Sequence, residues 1–251
     1  MISIEGKLAF IESEKVIVVG DLHGDYDSFL KTKEFLEKNE YIIIYLGDYA
    51  DRGSSGVEII EDLIKIKEKF RNRILALKGN HENYNKYGYP NFYPCDLIRE
   101  VELKRGDWRE YYEKTLKNFF DSLPLSAINE KMKMFFVHGG ISSEIKSLEN
   151  LKYPSKRIEE HLTWSDPIEE YGEFYNPRGA GVLFGYNVTN NFCIKFGVEK
   201  IVRSHEPRKA LYSPVYEHNN RVITISSTRV YGGRPHILKI EEGKIETIYL
   251  D

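Results

Sequence analysis

KVIVVGDLHG at residues 15–24, YIIIYLGDYADRG at 41–53 and RILALKGNHE at 73–82 decide how this chain folds. Each is a largely apolar run of strand length that stops at a glycine, and each glycine is followed at once by Asp or Asn, with His or a second Asp close behind. Between them lie Tyr26 to Lys38 and Val57 to Phe70, with apolar residues at helical spacing. The segments Lys15 to Val19, Tyr26 to Lys38, Tyr41 to Leu46, Val57 to Phe70 and Arg73 to Leu77 therefore read as βαβαβ. Such units build an α/β fold with a largely parallel sheet and helices on its faces, and ligands bind outside the carboxyl ends of the strands.

Further strands are expected at Lys131 to Val137, Lys200 to Arg203, Arg221 to Ser226 and His236 to Glu241, so the second half is richer in strand. Trp108 to Ser122 carries helical spacing and stops before Pro124. The stretch Tyr84 to Tyr93, aromatic but broken by Gly and Pro, reads as a surface loop whose tyrosines pack rather than contact substrate. With 251 residues, 41% hydrophobic content, no internal repeat and no low-complexity linker, one compact domain over residues 1–251 is expected.

Composition narrows the function. A net charge of −3 and a pI near 6.2 lack the basic excess of a nucleic-acid-binding surface. No apolar run approaches the roughly 20 residues of a membrane helix, and the first 21 residues lack a signal-peptide pattern, so a cytoplasmic setting is expected. Cys95 and Cys193 read as isolated core thiols. Charged residues make up 30% of the chain and Gln is absent, a profile that resembles hyperthermophile proteins with surface ion pairs.

Five clusters follow strand candidates: Gly20-Asp21-Leu22-His23-Gly24, Gly47-Asp48-Tyr49-Ala50-Asp51-Arg52-Gly53, Gly79-Asn80-His81-Glu82, His138-Gly139-Gly140 and His205. One would be a turn; five in series at the same ends of strands make a site. Carboxylate, imidazole and amide oxygen together suit Mn, Fe or Zn, whereas a closed structural zinc site would use cysteines. In a two-metal hydrolase the ions sit roughly 3.5–4 Å apart and clamp the attacking and leaving oxygens. The other histidines, His161, His218 and His236, lie outside these clusters and read as structural.

In this order the clusters resemble the signature of the PPP-type serine/threonine phosphatases, within the calcineurin-like metallophosphoesterases. The resemblance continues through FFDSLPL at 119–125, FVHGGIS at 136–142, WSDP at 164–167, NPRG at 176–179 and Arg203-Ser204-His205, and so covers most of the chain from about Val16 to Tyr231. It implies a four-layer α/β arrangement, a central mixed β-sandwich flanked by helices. It also implies that Asp21, His23 and Asp48 hold one metal ion and Asp48, Asn80, His138 and His205 a second, with Asp48 as bridge. Manganese is the expected ion in vitro, with iron or zinc as alternatives.

By the same resemblance His81 is the general acid, oriented by Asp51, and Arg52 and Arg178 grip the phosphate. Tyr231 matches the tyrosine of a loop overhanging the site, although this loop is shorter and less acidic than the family's and has Gly232 where the family has cysteine. Glu82 braces a turn, Asp166 caps or braces a turn near the site, and Trp164 packs the core. The implied reaction is hydrolysis of phosphoserine and phosphothreonine on proteins by a hydroxide that two metals activate. A diadenosine-polyphosphate or nucleotide hydrolase, or a broad phosphatase that includes phosphotyrosine, is the alternative. Phosphorylated proteins are the expected partners, with no nucleic acid and no membrane; regulatory subunits cannot be named from these residues.

Overall fold

A computed structural model of the chain describes residues 1–38 and 40–251. It opens with a hairpin, β1 (Ile2–Glu5) and β2 (Leu8–Ile11). The expected alternation follows: β3 (Lys15–Val19), α1 (Tyr26–Lys38), β4 (Ile42–Tyr45), α2 (Gly56–Lys69) and β5 (Ile74–Ala76). Next come α3 (Leu97–Lys104), α4 (Trp108–Tyr111) and α5 (Lys117–Ser122), the last two joined by a π-helical turn at Tyr112–Leu116. The remaining elements are β6 (Ser126–Asn129), β7 (Met134–Val137), α6 (Leu148–Lys152), α7 (Lys156–Trp164), β8 (Asp166–Pro167), β9 (Glu173–Tyr175), β10 (Val182–Phe184), α8 (Tyr186–Phe196), β11 (Lys200–Arg203), α9 (Pro207–Ala210), β12 (Val215–Glu217), β13 (Val222–Thr224), β14 (His236–Glu241) and β15 (Lys244–Tyr249).

Two large sheets form. One runs β15-β14-β3-β4-β5 and the other β1-β2-β6-β7-β11-β13-β12, while β8, β10 and β9 make a small third sheet. The expectation of a largely parallel sheet is corrected to mixed sheets. β3, β4 and β5 are parallel to one another, but β14 and β15 join that sheet antiparallel, and antiparallel pairs also close both edges of the larger sheet. Hairpin returns such as β14 to β15 need only a short turn, whereas a parallel neighbour needs a crossover.

The layers follow from which face each apolar side chain takes. Val16 and Val18 of β3 meet Phe136, Val202 and Ile223 of the other sheet inside the sandwich. Ile17 and Val19, one residue out of phase, pack outward against Phe29, Val57 and Leu63 of α1 and α2. On the far side Phe135 and Ile201 pack against Leu162, Val188 and Phe192 of α7 and α8. Burial on both faces is the reason these strands are continuously apolar rather than alternating. The result is the expected four layers, helix, sheet, sheet, helix.

One local reading changes and another is sharpened. The strand expected from Lys131 begins at Met134, because Lys133, at φ +54°, lies in the turn that joins β6 to β7. The loop from Tyr84 to Tyr93 is anchored inward: Tyr84 stacks on Phe120 at 5.5 Å between ring centroids and also touches Phe92, Trp108 and Tyr112. Both cysteines are free, as read. Among the described residues no helix is long and apolar enough to cross a membrane.

Candidate metal centre

Every donor that the sequence singled out follows a strand at its carboxyl end. Asp21 and His23 follow β3, Asp48 follows β4, Asn80 and His81 follow β5, His138 follows β7 and His205 follows β11. Because β3, β4 and β5 run parallel, and β7 and β11 run parallel, these ends gather at one edge of the sandwich. Cross-links between the sheets hold that edge closed. The Gly20 amide donates to Ser227 Oγ at 2.9 Å and the Asp21 amide donates to Ser204 Oγ at 2.9 Å, while Ser204 Oγ is itself held within the larger sheet by donating to the Ile225 carbonyl at 2.8 Å.

The backbone here is strained. His23, Asp48, Asp51, Arg52 and His205 all have positive φ, from +45° to +77°, a region that costs a residue with a Cβ about 1–2 kcal/mol. Glycine is required beside them. A Cβ on Gly79 would lie 2.2 Å from Asp48 Oδ1, and one on Gly47, at φ +114°, would lie 2.4 Å from the Gly79 amide nitrogen. Glu82 offsets part of this strain: its two carboxylate oxygens accept from the amides of Asp48 at 2.9 Å, Gly79 at 2.8 Å and Tyr49 at 3.0 Å. Burial and the nearby Asp48 charge push the Glu82 carboxyl up to about 7. The sequence had it brace the turn after His81; it also braces the turn that carries Asp48.

Two groups of potential metal donors result, and they share one residue. His23, Asp48 and His81 present ligand atoms within 4.8 Å of one another, and so do Asp48, His138 and His205. Asp21 lies at the edge of both: its carboxylate is 3.8 Å from His23 Nε2 and 3.6 Å from His138 Nδ1. Asn80 Oδ1 is 3.0 Å from His138 Nε2, which in turn is 3.1 Å from His205 Nδ1. All six expected ligands are buried, at 3% exposure or less.

The donor set fits divalent metals. His23 Nδ1 is occupied by the Ala50 carbonyl at 2.9 Å, which leaves Nε2 facing Asp48 at 3.4 Å. A histidine anchored through one ring nitrogen offers the other to a metal in a fixed orientation. Burial lowers the pKa of both His23 and His205, with Arg178 adding to the effect at His205, which favours the neutral imidazole that a metal requires. At His138 burial is outweighed by the Asp48 and Asp21 charges and the pKa is raised.

His81 is held differently. Its Nδ1 lies 2.6 Å from Asp51 Oδ2, so this nitrogen is engaged in a charge-assisted pair. Asp51 Oδ1 accepts from the amides of Asp96 at 2.5 Å and Leu97 at 2.7 Å, at the start of α3. Burial opposes protonation of His81, but the Asp48 charge and the Asp51 hydrogen bond outweigh it, and its pKa rises above the ordinary histidine value. Phe92 packs on the ring at 4.5 Å.

Around this floor stand Arg52, Arg178 and Tyr231. Arg52 Nη1 donates to the Pro94 carbonyl at 3.1 Å. Tyr231 meets the His23 ring edge-on at 5.3 Å, and burial together with Asp21 and Asp48 raises its hydroxyl pKa. Arg178 Nη1 sits 2.6 Å from His205 Nε2 and 3.3 Å from Asp166 Oδ2.

A profile search of known families matches residues 14–209 to the calcineurin-like phosphoesterases. The chain belongs to that family. Its members use a dinuclear metal centre, and this chain carries the corresponding His and Asp clusters. A serine/threonine-protein phosphatase of Caenorhabditis elegans is 33% identical over 76% of this chain and 42% of its own length. A probable serine/threonine-protein phosphatase of Encephalitozoon cuniculi is 32% identical over 88% and 48%. The chain thus spans less than half the length of these two relatives. Among solved structures, a protein serine/threonine phosphatase from Saccharomyces cerevisiae shares the fold with a TM-score of 0.73 at 24% identity, over 93% of this chain and 79% of that one. A cold-active protein tyrosine phosphatase follows at 0.68 and 18%, over 99% and 83%.

Within this calcineurin-like site two readings are corrected. Trp164 does not pack the core: it is half-buried at the site, edge-on to His205 at 5.4 Å, with the Arg178 guanidinium 5.4 Å from its ring. Asp166 is more than a turn brace. Besides Arg178 and Asn176 it accepts from Arg203 Nη2 at 2.8 Å. Arg203, for which the sequence suggested no role, is fully buried and also bonds the Gly139 carbonyl and Glu206. The signal was a charged residue closing the apolar strand KIVR directly before Ser204-His205.

A latch on the Tyr231 loop was also missed. The Arg229 amide donates to Asp25 Oδ2 at 2.8 Å, and its guanidinium reaches Asp25 Oδ1, Ser28 Oγ and the Leu250 carbonyl at 2.9–3.1 Å.

Proposed function

We propose that this chain is a single catalytic domain that hydrolyses phosphoserine and phosphothreonine monoesters on proteins. The observation that carries the reading is the Asp51–His81 pair set beside two donor groups that share Asp48. In this proposal Asp21, His23 and Asp48 hold one metal ion, and Asp48, Asn80, His138 and His205 a second, with manganese the ion to supply in vitro and iron or zinc also suited to the donors. Bound metals would supply activation of water and charge neutralisation at the phosphoryl group. Arg52 and Arg178 grip phosphate oxygens, since a planar guanidinium matches two oxygens at once. His81 donates a proton from Nε2 to the departing alkoxide of Ser or Thr; Asp51, itself held by two amides, keeps the other ring proton on Nδ1. Tyr231 covers the site above His23.

The relatives' names support the substrate class, and phosphorylated proteins are the partners they suggest. The test is phosphate release from phosphoserine and phosphothreonine peptides, a phosphotyrosine peptide and diadenosine tetraphosphate, with chelator-treated enzyme before and after Mn²⁺ addition. Metal-dependent release from the first two is expected. Release from the dinucleotide alone would replace the reading with nucleotide hydrolysis, and equal release from phosphotyrosine would broaden it.

A further inference from the structure

Directly beside Arg178 lies a groove of about 600 Å³ that the metal centre does not use. Its apolar wall is Pro167, Ile168, Pro177, Leu183 and Pro207, and Arg208 stands at its mouth. Two acidic residues also line it, but both are already neutralised: Asp166 by Arg178 and Arg203, and Glu206 by Arg203 and Lys209. Arg208 makes no hydrogen bond or ion pair among the described residues and is exposed. The groove is thus apolar inside with one uncompensated positive charge outside.

Arg178 is the wall shared by groove and metal centre, with Nη1 2.6 Å from His205 Nε2. An extended peptide advances roughly 3.3–3.6 Å per residue, so the first residues beyond a phosphorylated side chain reach the groove. A second cavity of about 490 Å³, between α2 and α5, is lined by Lys67 in the last turn of α2 and by Arg71 just past its end, away from the strand ends that carry the donors.

We infer that the groove is a subsite for the residues flanking the phosphorylated one in a peptide substrate, and that it selects an apolar residue with an acidic neighbour over a basic one. This rests on the protein-phosphatase reading above. Apolar walls favour an apolar side chain, and the free Arg208 charge favours an acidic neighbour and disfavours lysine.

The test compares kcat/KM for phosphothreonine peptides carrying Leu, Asp or Lys at each of two positions on either side, with p-nitrophenyl phosphate as a substrate that has no flank. Wild type should prefer Leu and Asp over Lys by about tenfold on one side. Arg208→Glu should reverse the charge preference and Leu183→Asp should abolish the preference for Leu, both with unchanged p-nitrophenyl phosphate turnover. Should Leu183→Asp fail to fold, exposed Arg208→Glu decides alone. Peptide hydrolysis with one flat profile in wild type and variants overturns the subsite and leaves the phosphatase reading standing. Turnover of p-nitrophenyl phosphate with no peptide overturns the protein-substrate reading, and the subsite with it.

Discussion

The floor of the site and its rim are built on opposite terms. On the floor Asp21, His23, Asp48, Asn80, His138 and His205 are buried at strand ends, several in strained backbone that glycines and Glu82 hold in place. On the rim Arg52, Arg178 and Tyr231 are partly exposed, Arg178 resting on His205, Asp166 and Trp164, Arg52 on the Pro94 carbonyl and Tyr231 on the His23 ring. A floor fixed before anything binds needs no reorganisation during the reaction. In the proposed reaction the rim moves, since an Arg178 that grips phosphate gives up its contact with His205 Nε2. Floor substitutions should therefore reduce turnover, and rim substitutions should raise KM.

The largest effect should come from Asp48→Asn, because both donor groups share this carboxylate. Metal content measured on purified protein should fall and phosphate release drop to background; retained metal with full turnover would dissolve the distinction between floor and rim. His81→Gln should slow phosphothreonine hydrolysis by roughly 10²–10⁴-fold. It should slow p-nitrophenyl phosphate far less, because that leaving group departs without a proton. Equal losses on both substrates would take the proton-donor role away from His81.

Arg203→Met leaves Asp166 and Glu206 without their buried cation and should cost about 3–5 kcal/mol in urea unfolding, extending the floor's rigidity one layer outward. The smallest effect belongs to Arg229→Ala at the rim. Half-exposed ion pairs contribute at most about 1 kcal/mol, so stability should hardly change. KM should rise while kcat stays, and amides 227–234 should lose protection from hydrogen exchange. Unchanged exchange there would mean that Arg229 does not hold the Tyr231 loop.

The halves of the chain differed in how openly they could be read. From Lys15 to Ala76 each strand is followed by its helix and its polar turn, and the reading matched the elements almost residue for residue. From Ser126 onward it missed β6, β8, β9, β10, β12 and β15 and the helices α6 to α9; most of these are two to five residues long, too short for periodicity to stand out, but α7 and α8 run nine and eleven residues. Trp164 was misplaced because a tryptophan beside a turn reads as core until the Arg178 and His205 that sandwich it are brought there by other segments.

Sequence alone supplied the order and identity of the proposed donors, since each sits in a short motif where an apolar run meets a glycine turn, and both signals are local. Only the tertiary structure decided that Glu82 braces the turn that carries Asp48, that amides at the start of α3 hold Asp51, that Arg203 backs Asp166, and that Arg229 ties the Tyr231 loop to Asp25. These contacts join residues 34 to 204 positions apart, where turn chemistry and side-chain periodicity carry no information and only the packing of distant segments brings the groups together.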